Sequence, residues 1–203
     1  MGLSSDPCQS GSMEPWVWIG TLAFAVGGAL EAVRRGFDLV GVLLAASITA
    51  IGGGSIRDLV VGKLPPTALT DEALLWAVAA SGAITFFLHP RLSRLERGLY
   101  YADTLGLGVF AALGAAEGLA AGLGFWGVVF AGTVSGVGGG VLRDLLTGRI
   151  PGVFYRAGDL YATAAAAGAA TLYLTGTLWA AVLVTLALRL GGRRLGLRLP
   201  TPH

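Results

Sequence analysis

The chain has 203 residues, of which 54% are hydrophobic and only 13% charged, with a mean hydropathy of +0.72. Its charged fraction is about half that of an ordinary soluble domain, which excludes that class. The formal net charge of +2, with no basic stretch interleaved with aromatics, excludes a nucleic-acid binder. Cys8 is the single cysteine, so neither an intrachain disulfide nor a thiolate metal cluster can form.

Met1–Pro15 is polar, lacks a charged n-region followed by a cleavage site, and reads as a disordered tail. A helix that crosses a bilayer needs about 20 mostly apolar residues. The sequence predicts spans over Trp16–Val33, Leu39–Val61, Ala73–Leu88, Tyr101–Ala121, Phe125–Leu146, Ala157–Leu174 and Thr177–Leu190. Arg34-Arg35-Gly36 ends the first, Pro65-Pro66 follows the second, and Thr70 with Asp71 and Glu72 caps the third. His89-Pro90 ends the third, with His89 placed at the interface. Pro151 follows the fifth, and Gly176 allows a turn before the last. The fold class expected is all-α and polytopic, with about seven transmembrane helices.

Seven spans leave the termini on opposite sides. Arg34, Arg35, Arg91, Arg94, Arg97, Arg149, Arg156, Arg189, Arg193, Arg194 and Arg198 then fall on one side, and Lys63 alone on the other. The positive-inside rule puts the N-terminus outside and the C-terminus in the cytoplasm. Trp16, Trp18, Tyr100, Tyr101 and Trp126 lie near span ends, as interfacial anchors do.

GGGSIRDLVVGKLPP at Gly52–Pro66 returns as GGGVLRDLLTGRIPG at Gly138–Gly152, a step of 86 residues. The step holds without a gap back to Phe24 and Phe110, through Glu31 and Glu117, Gly36 and Gly122, and Gly41 and Gly127. Each copy holds three spans, an odd number, so the second enters the membrane inverted. The chain divides into a tail (1–15), a first repeat (16–97), an inverted second repeat (98–175), an added seventh helix (176–191) and a basic tail (192–203). Inverted repeats are typical of proteins that move solutes across a bilayer, with the path between the repeats.

Four sets of residues carry the candidate chemistry. The triplets Gly52-Gly53-Gly54 and Gly138-Gly139-Gly140 interrupt apolar spans, where glycine costs about 1 kcal/mol against alanine. They serve either a bend that frees carbonyls toward a cavity or close helix packing. Thr49 and Ser135 correspond across the repeat, as do Ser47 and Thr133; such hydroxyls line a polar path or bond their own backbone. Arg57 and Arg143 lie about 10 Å from the midplane at 1.5 Å per residue, so they either snorkel or are paired. By depth alone, Glu31 is expected to meet Arg143 and Glu117 to meet Arg57. Asp58 and Asp144 either join these sites or face water. No catalytic triad, metal-ligand spacing or phosphate-cradling loop is present, so no enzymatic chemistry, cofactor or metal is expected.

At the doubled glycine–arginine–aspartate segments the chain resembles the bacterial branch of the trimeric intracellular cation channels, the TRIC family, also catalogued as a putative glycine-transporter membrane family. The resemblance covers Trp16 to Leu190. It implies a homotrimer with one pore per subunit, and potassium, sodium and other monovalent cations as permeant ions. It also implies pore-bordering kinks at Gly52–Gly54 and Gly138–Gly140. The basic lipid-binding and voltage-sensing motif of animal members has no counterpart in this sequence. The reading is thus a cation channel of the bacterial inner membrane. A secondary transporter for a small zwitterion such as glycine is the rival, and a purely structural membrane protein is a third class that the charges within the spans disfavour.

Overall fold

The computed structural model describes residues 7–92, 96–154 and 160–196. Among them the chain is all-helical: α1 (Pro7–Arg34), α2 (Leu39–Val60), a short α3 (Thr67–Thr70), α4 (Glu72–Leu92), α5 (Glu96–Ala120), α6 (Phe125–Leu146), α7 (Tyr161–Thr175) and α8 (Leu178–Leu195). Five stretches are long and apolar enough to cross a membrane: Pro15–Arg34, Leu39–Val60, Glu72–His89, Gly98–Ala120 and Phe125–Leu146. With α7 and α8 they make the seven long helices of a polytopic membrane protein.

The element boundaries correct several expectations. Residues 7–15 belong to α1 rather than to a disordered tail, while Met1–Asp6 lie outside the described residues. The third apolar span ends at His89 as expected, but the helix does not stop at His89-Pro90, since α4 continues to Leu92. Proline has no N–H for the carbonyl four residues back. The His89 Nδ1 donates to that carbonyl, Phe86 O, at 2.9 Å and replaces the missing bond. The expected start of the sixth span at Ala157 lies outside the described residues.

The duplication is visible in the backbone. Gly36 and Gly122 close α1 and α5 with φ of +76°, and Gly62 and Gly148 close α2 and α6 with φ of +75° and +68°. The left-handed turn that glycine permits sends the chain back on itself after each helix. Lys63 N then bonds Asp58 O at 2.7 Å, and Arg149 N bonds Asp144 O at 2.7 Å. Lys63 and Arg149 therefore mark opposite ends of the bundle, called below the Lys63 side and the Arg149 side.

Helices α1, α2, α5 and α6 form the centre. Both glycine triplets lie inside unbroken helices. A Cβ on Gly53 would strike Ser135 O and come within 3.0 Å of Gly139 N, while one on Gly139 would strike Thr49 O. These are mutual clashes between repeat mates, so α2 and α6 cross backbone against backbone at the pseudo-two-fold axis. Close approach of small residues is what drives helix association where the solvent is already apolar. In this conformation Gly53 and Gly139 serve packing, and neither triplet breaks its helix. Large apolar side chains such as Trp76 and Trp126 remain 75% and 78% exposed on the outside of the bundle, as a lipid-facing surface requires.

Candidate functional site

The charged residues of the two α2/α6 helix ends are not snorkelling. Arg57 and Arg143 are both only 8% exposed, so protein rather than headgroup water surrounds them. Each is held by the aspartate that follows it. Arg57 Nη2 lies 2.6 Å from Asp58 Oδ1, and Arg143 Nη2 lies 2.9 Å from Asp144 Oδ1. The second carboxylate oxygen of each aspartate accepts a loop N–H, from Thr67 at 2.8 Å and from Gly152 at 3.3 Å. The Arg-Asp pair thus ties a helix end to the loop that follows it, and supplies the neutralising charge within the same helix.

The depth-matched pairs Glu31–Arg143 and Glu117–Arg57 are not among the ion pairs of the described residues. Glu31 is bridged instead by Arg149 at 3.0 Å and Arg35 at 3.4 Å, and Glu117 by Lys63 at 3.1 Å. The cross-repeat principle survives, since Lys63 and Arg149 are repeat mates. The basic partner stands six residues further along, because the glycine turns at Gly62 and Gly148 swing those side chains back over the neighbouring repeat. Thr49 and Thr133 donate to the carbonyls of Ala45 and Val129, at 2.6 and 2.7 Å, so both bond their own helix. Ser135 is fully buried at the helix crossing, and its hydroxyl finds no partner among the described residues.

Between α1, α2, α3, α4 and α5, on the Lys63 side, lies a cavity of about 100 Å³. Of the predicted residues it brings together Gly54, Arg57 and Glu117; Thr21 and Asp71 add polar groups, and the rest of the lining, Phe110 included, is mostly apolar. Gly54 is open to it: the nearest atoms to an added Cβ are Arg57 Nη2 and Phe110 Cε1, each at 3.8 Å. Gly52, Gly53, Gly138, Gly139, Gly140, Thr49 and Ser135 do not line it.

The mirrored position on the Arg149 side is filled. A Cβ on Gly140, the mate of Gly54, would strike the Tyr161 hydroxyl and meet Asp103 Oδ1 at 3.4 Å. Asp103 on α5 receives Arg143 Nη1 at 2.6 Å, Arg189 Nη2 of α8 at 2.7 Å and the Tyr161 hydroxyl of α7 at 3.2 Å. The Arg189 guanidinium also lies 4.1 Å from the Tyr161 ring centre and 5.1 Å from that of Tyr100. Such cation–π contacts contribute about 0.5–2 kcal/mol each. Four helices are knotted together here around one carboxylate. Arg189, which the sequence places with the loop charges, is 5% exposed and internal. Tyr100 is likewise no simple interfacial anchor, since its hydroxyl donates to Arg189 O at 3.1 Å.

The family described as glycine transporter matches this chain over residues 16–90 and again over 100–177, one stretch per repeat. A UPF0126 membrane protein of Deinococcus radiodurans is 47% identical over 189 residues, covering 90% of this chain and 88% of its own. A solved TRIC cation channel superimposes with a TM-score of 0.86 at 34% identity, over 94% of this chain and 97% of its own. The chain belongs to the TRIC family. The TRIC trimeric intracellular cation channel orthologue from Rhodobacter sphaeroides is a further relative in structure, with a TM-score of 0.83 at 35% identity over 92% of this chain and 99% of its own.

In this TRIC protein the residues that sequence reasoning missed are Asp103, Tyr161 and Arg189. One signal could have found the first: an ionisable residue inside an apolar span is a functional candidate by default. Asp103 has no acidic mate in the first repeat, where the corresponding residue is Val17. A search for doubled residues therefore passes over it.

Proposed function

We propose that this protein is a monovalent-cation channel whose pathway runs between the two inverted repeats, with the Lys63 side open and the Arg149 side shut in the present conformation. The observation that carries the reading is the contrast between mirrored positions: a cavity edged by Arg57, Asp71 and Glu117 at Gly54 and a side-chain plug at Gly140. The cavity wall holds two carboxylates, Asp71 and Glu117, against one guanidinium, Arg57. Arg57 is itself neutralised by Asp58, which removes the objection that arginine repels a permeant cation. The solved relatives are cation channels, and the Rhodobacter sphaeroides orthologue is trimeric. We extend both properties to this chain, with potassium and sodium as permeant ions, one pathway per subunit and gating by relative movement of α2 and α6.

The same cavity suits a second reading. An amino acid presents an ammonium and a carboxylate close together, and Glu117 and Arg57 share one small enclosure. Flux in reconstituted vesicles separates the two. Potassium conductance that persists without any organic substrate is the expected result. Saturable glycine counterflow without conductance would replace the channel by a transporter.

We place the Lys63 side outside, in the bacterial inner membrane, from the concentration of arginine on the other side. In a chain with Cys8→Ser, an impermeant thiol reagent added to intact cells is expected to label cysteine at position 63 but not at position 194. The reverse pattern would overturn the orientation.

A further inference from the structure

We infer that Phe24 and Phe110, stacked on the pseudo-two-fold axis, form the barrier at the midpoint of the pathway. This rests on the proposed pathway between the repeats and names the residues that interrupt it. The two phenylalanines are repeat mates, one on α1 and one on α5. Their ring centres are 5.4 Å apart and their planes 9° from parallel. They are 1% and 5% exposed.

Their position is fixed from both ends. Phe110 forms part of the cavity lining on the Lys63 side, beside Gly54 and Arg57. Phe24 lies against Gly106, one helical turn from Asp103, and against Gly139, next to Gly140. From one side to the other the order is therefore cavity, Phe110, Phe24, and the Asp103 cluster. The rings sit where glycines make room: a Cβ on Gly106 would strike Phe24, and one on Gly20, its mate, would come within 3.2 Å of Phe110. The absence of Cβ atoms at three surrounding positions, Gly20, Gly106 and Gly139, is what lets two aromatic rings occupy the axis.

An apolar ring offers no oxygen to replace an ion's hydration shell, and apolar constrictions close pores by excluding water. A hydrated cation in the cavity thus meets a dry wall two rings thick. The pair differs from the Asp103 cluster in kind. The cluster closes one end with charge, whereas the stack closes the middle by dewetting and treats both directions alike. Opening then requires the rings to part.

The test is potassium flux into vesicles holding wild type, Phe24→Ala, Phe110→Ala and the double variant, beside single-channel recording of wild type. Each alanine variant is expected to raise resting flux at least about tenfold, and the double variant more. Should alanine prevent folding, judged by loss of monodisperse elution, Phe24→Leu and Phe110→Leu carry the test. These keep most of the apolar bulk and lose the stack, and a rise of a few-fold is expected. Wild-type openings with every folded variant at wild-type resting flux would overturn the barrier while leaving the channel intact. Absence of potassium openings in wild type and all variants would overturn the channel reading, and the barrier with it.

Discussion

Asp103→Asn is expected to lower thermal stability markedly and to raise resting flux through the Arg149 side. The carboxylate neutralises Arg143 and Arg189 together, at 2.6 and 2.7 Å, among side chains that are nearly all buried. Removing one partner of a buried ion pair costs about 3–5 kcal/mol, because the other charge stays behind uncompensated. Here two guanidiniums are left, although Arg143 keeps Asp144. Arg189 has no other acidic partner among the described residues, so it carries most of the loss. Arg189→Gln should therefore relieve Asp103→Asn: in a double-mutant cycle the pair should cost less than the two single changes added together. Thermal unfolding in detergent and vesicle flux provide the two readouts. Strict additivity, or an Asp103→Asn protein as stable as wild type, would show that the cluster holds nothing shut.

The second large effect is positional. Gly53→Ala and Gly139→Ala each add a methyl group against the backbone of the facing helix, at Ser135 O and Thr49 O. Backbone cannot turn aside as a side chain can, so α2 and α6 must separate. Overpacking of this kind costs about 1–3 kcal/mol and sometimes more. Gly54→Ala, one residue away, meets nothing closer than 3.8 Å and gains helix propensity of about 1 kcal/mol. The expectation is a clear drop in melting temperature at 53 and 139, with none at 54. Equal melting temperatures at 53 and 54 would rule out the close crossing.

The architecture was legible in the sequence because duplication preserves what the backbone needs. Gly36 and Gly122, with Gly62 and Gly148, recur because each must adopt positive φ, and those four positions delimit the central helices. The halves also had to be inverted, since each repeat carries an odd number of spans. The site was less legible, for two reasons. Depth along a helix is readable at 1.5 Å per residue, but rotation about its axis is not. Depth suggested Arg143 for Glu31, while the turn after Gly148 delivers Arg149. Symmetry reading, for its part, finds only what both halves share. Asp103 corresponds to Val17 in the first repeat, and Arg189 belongs to a helix outside the repeat. The Asp103 cluster thus joins one residue of the repeated motif, Arg143, to residues that break the pattern by which the fold was recognised.

That asymmetry bears on how the molecule can work. A machine that exposes its centre first to one side and then to the other needs two mirror conformations of nearly equal free energy, because a gap of about 2.7 kcal/mol already leaves one of them at 1:99. Here one conformation owns a three-armed clasp on Asp103, and its mirror would have only Val17 in that place. The eighth helix, by lending Arg189 to one face alone, works like a weight on one pan of a balance. Such a balance is poorly suited to tipping back and forth with each passenger. It suits a door with a preferred resting position, opened from that rest and falling back to it.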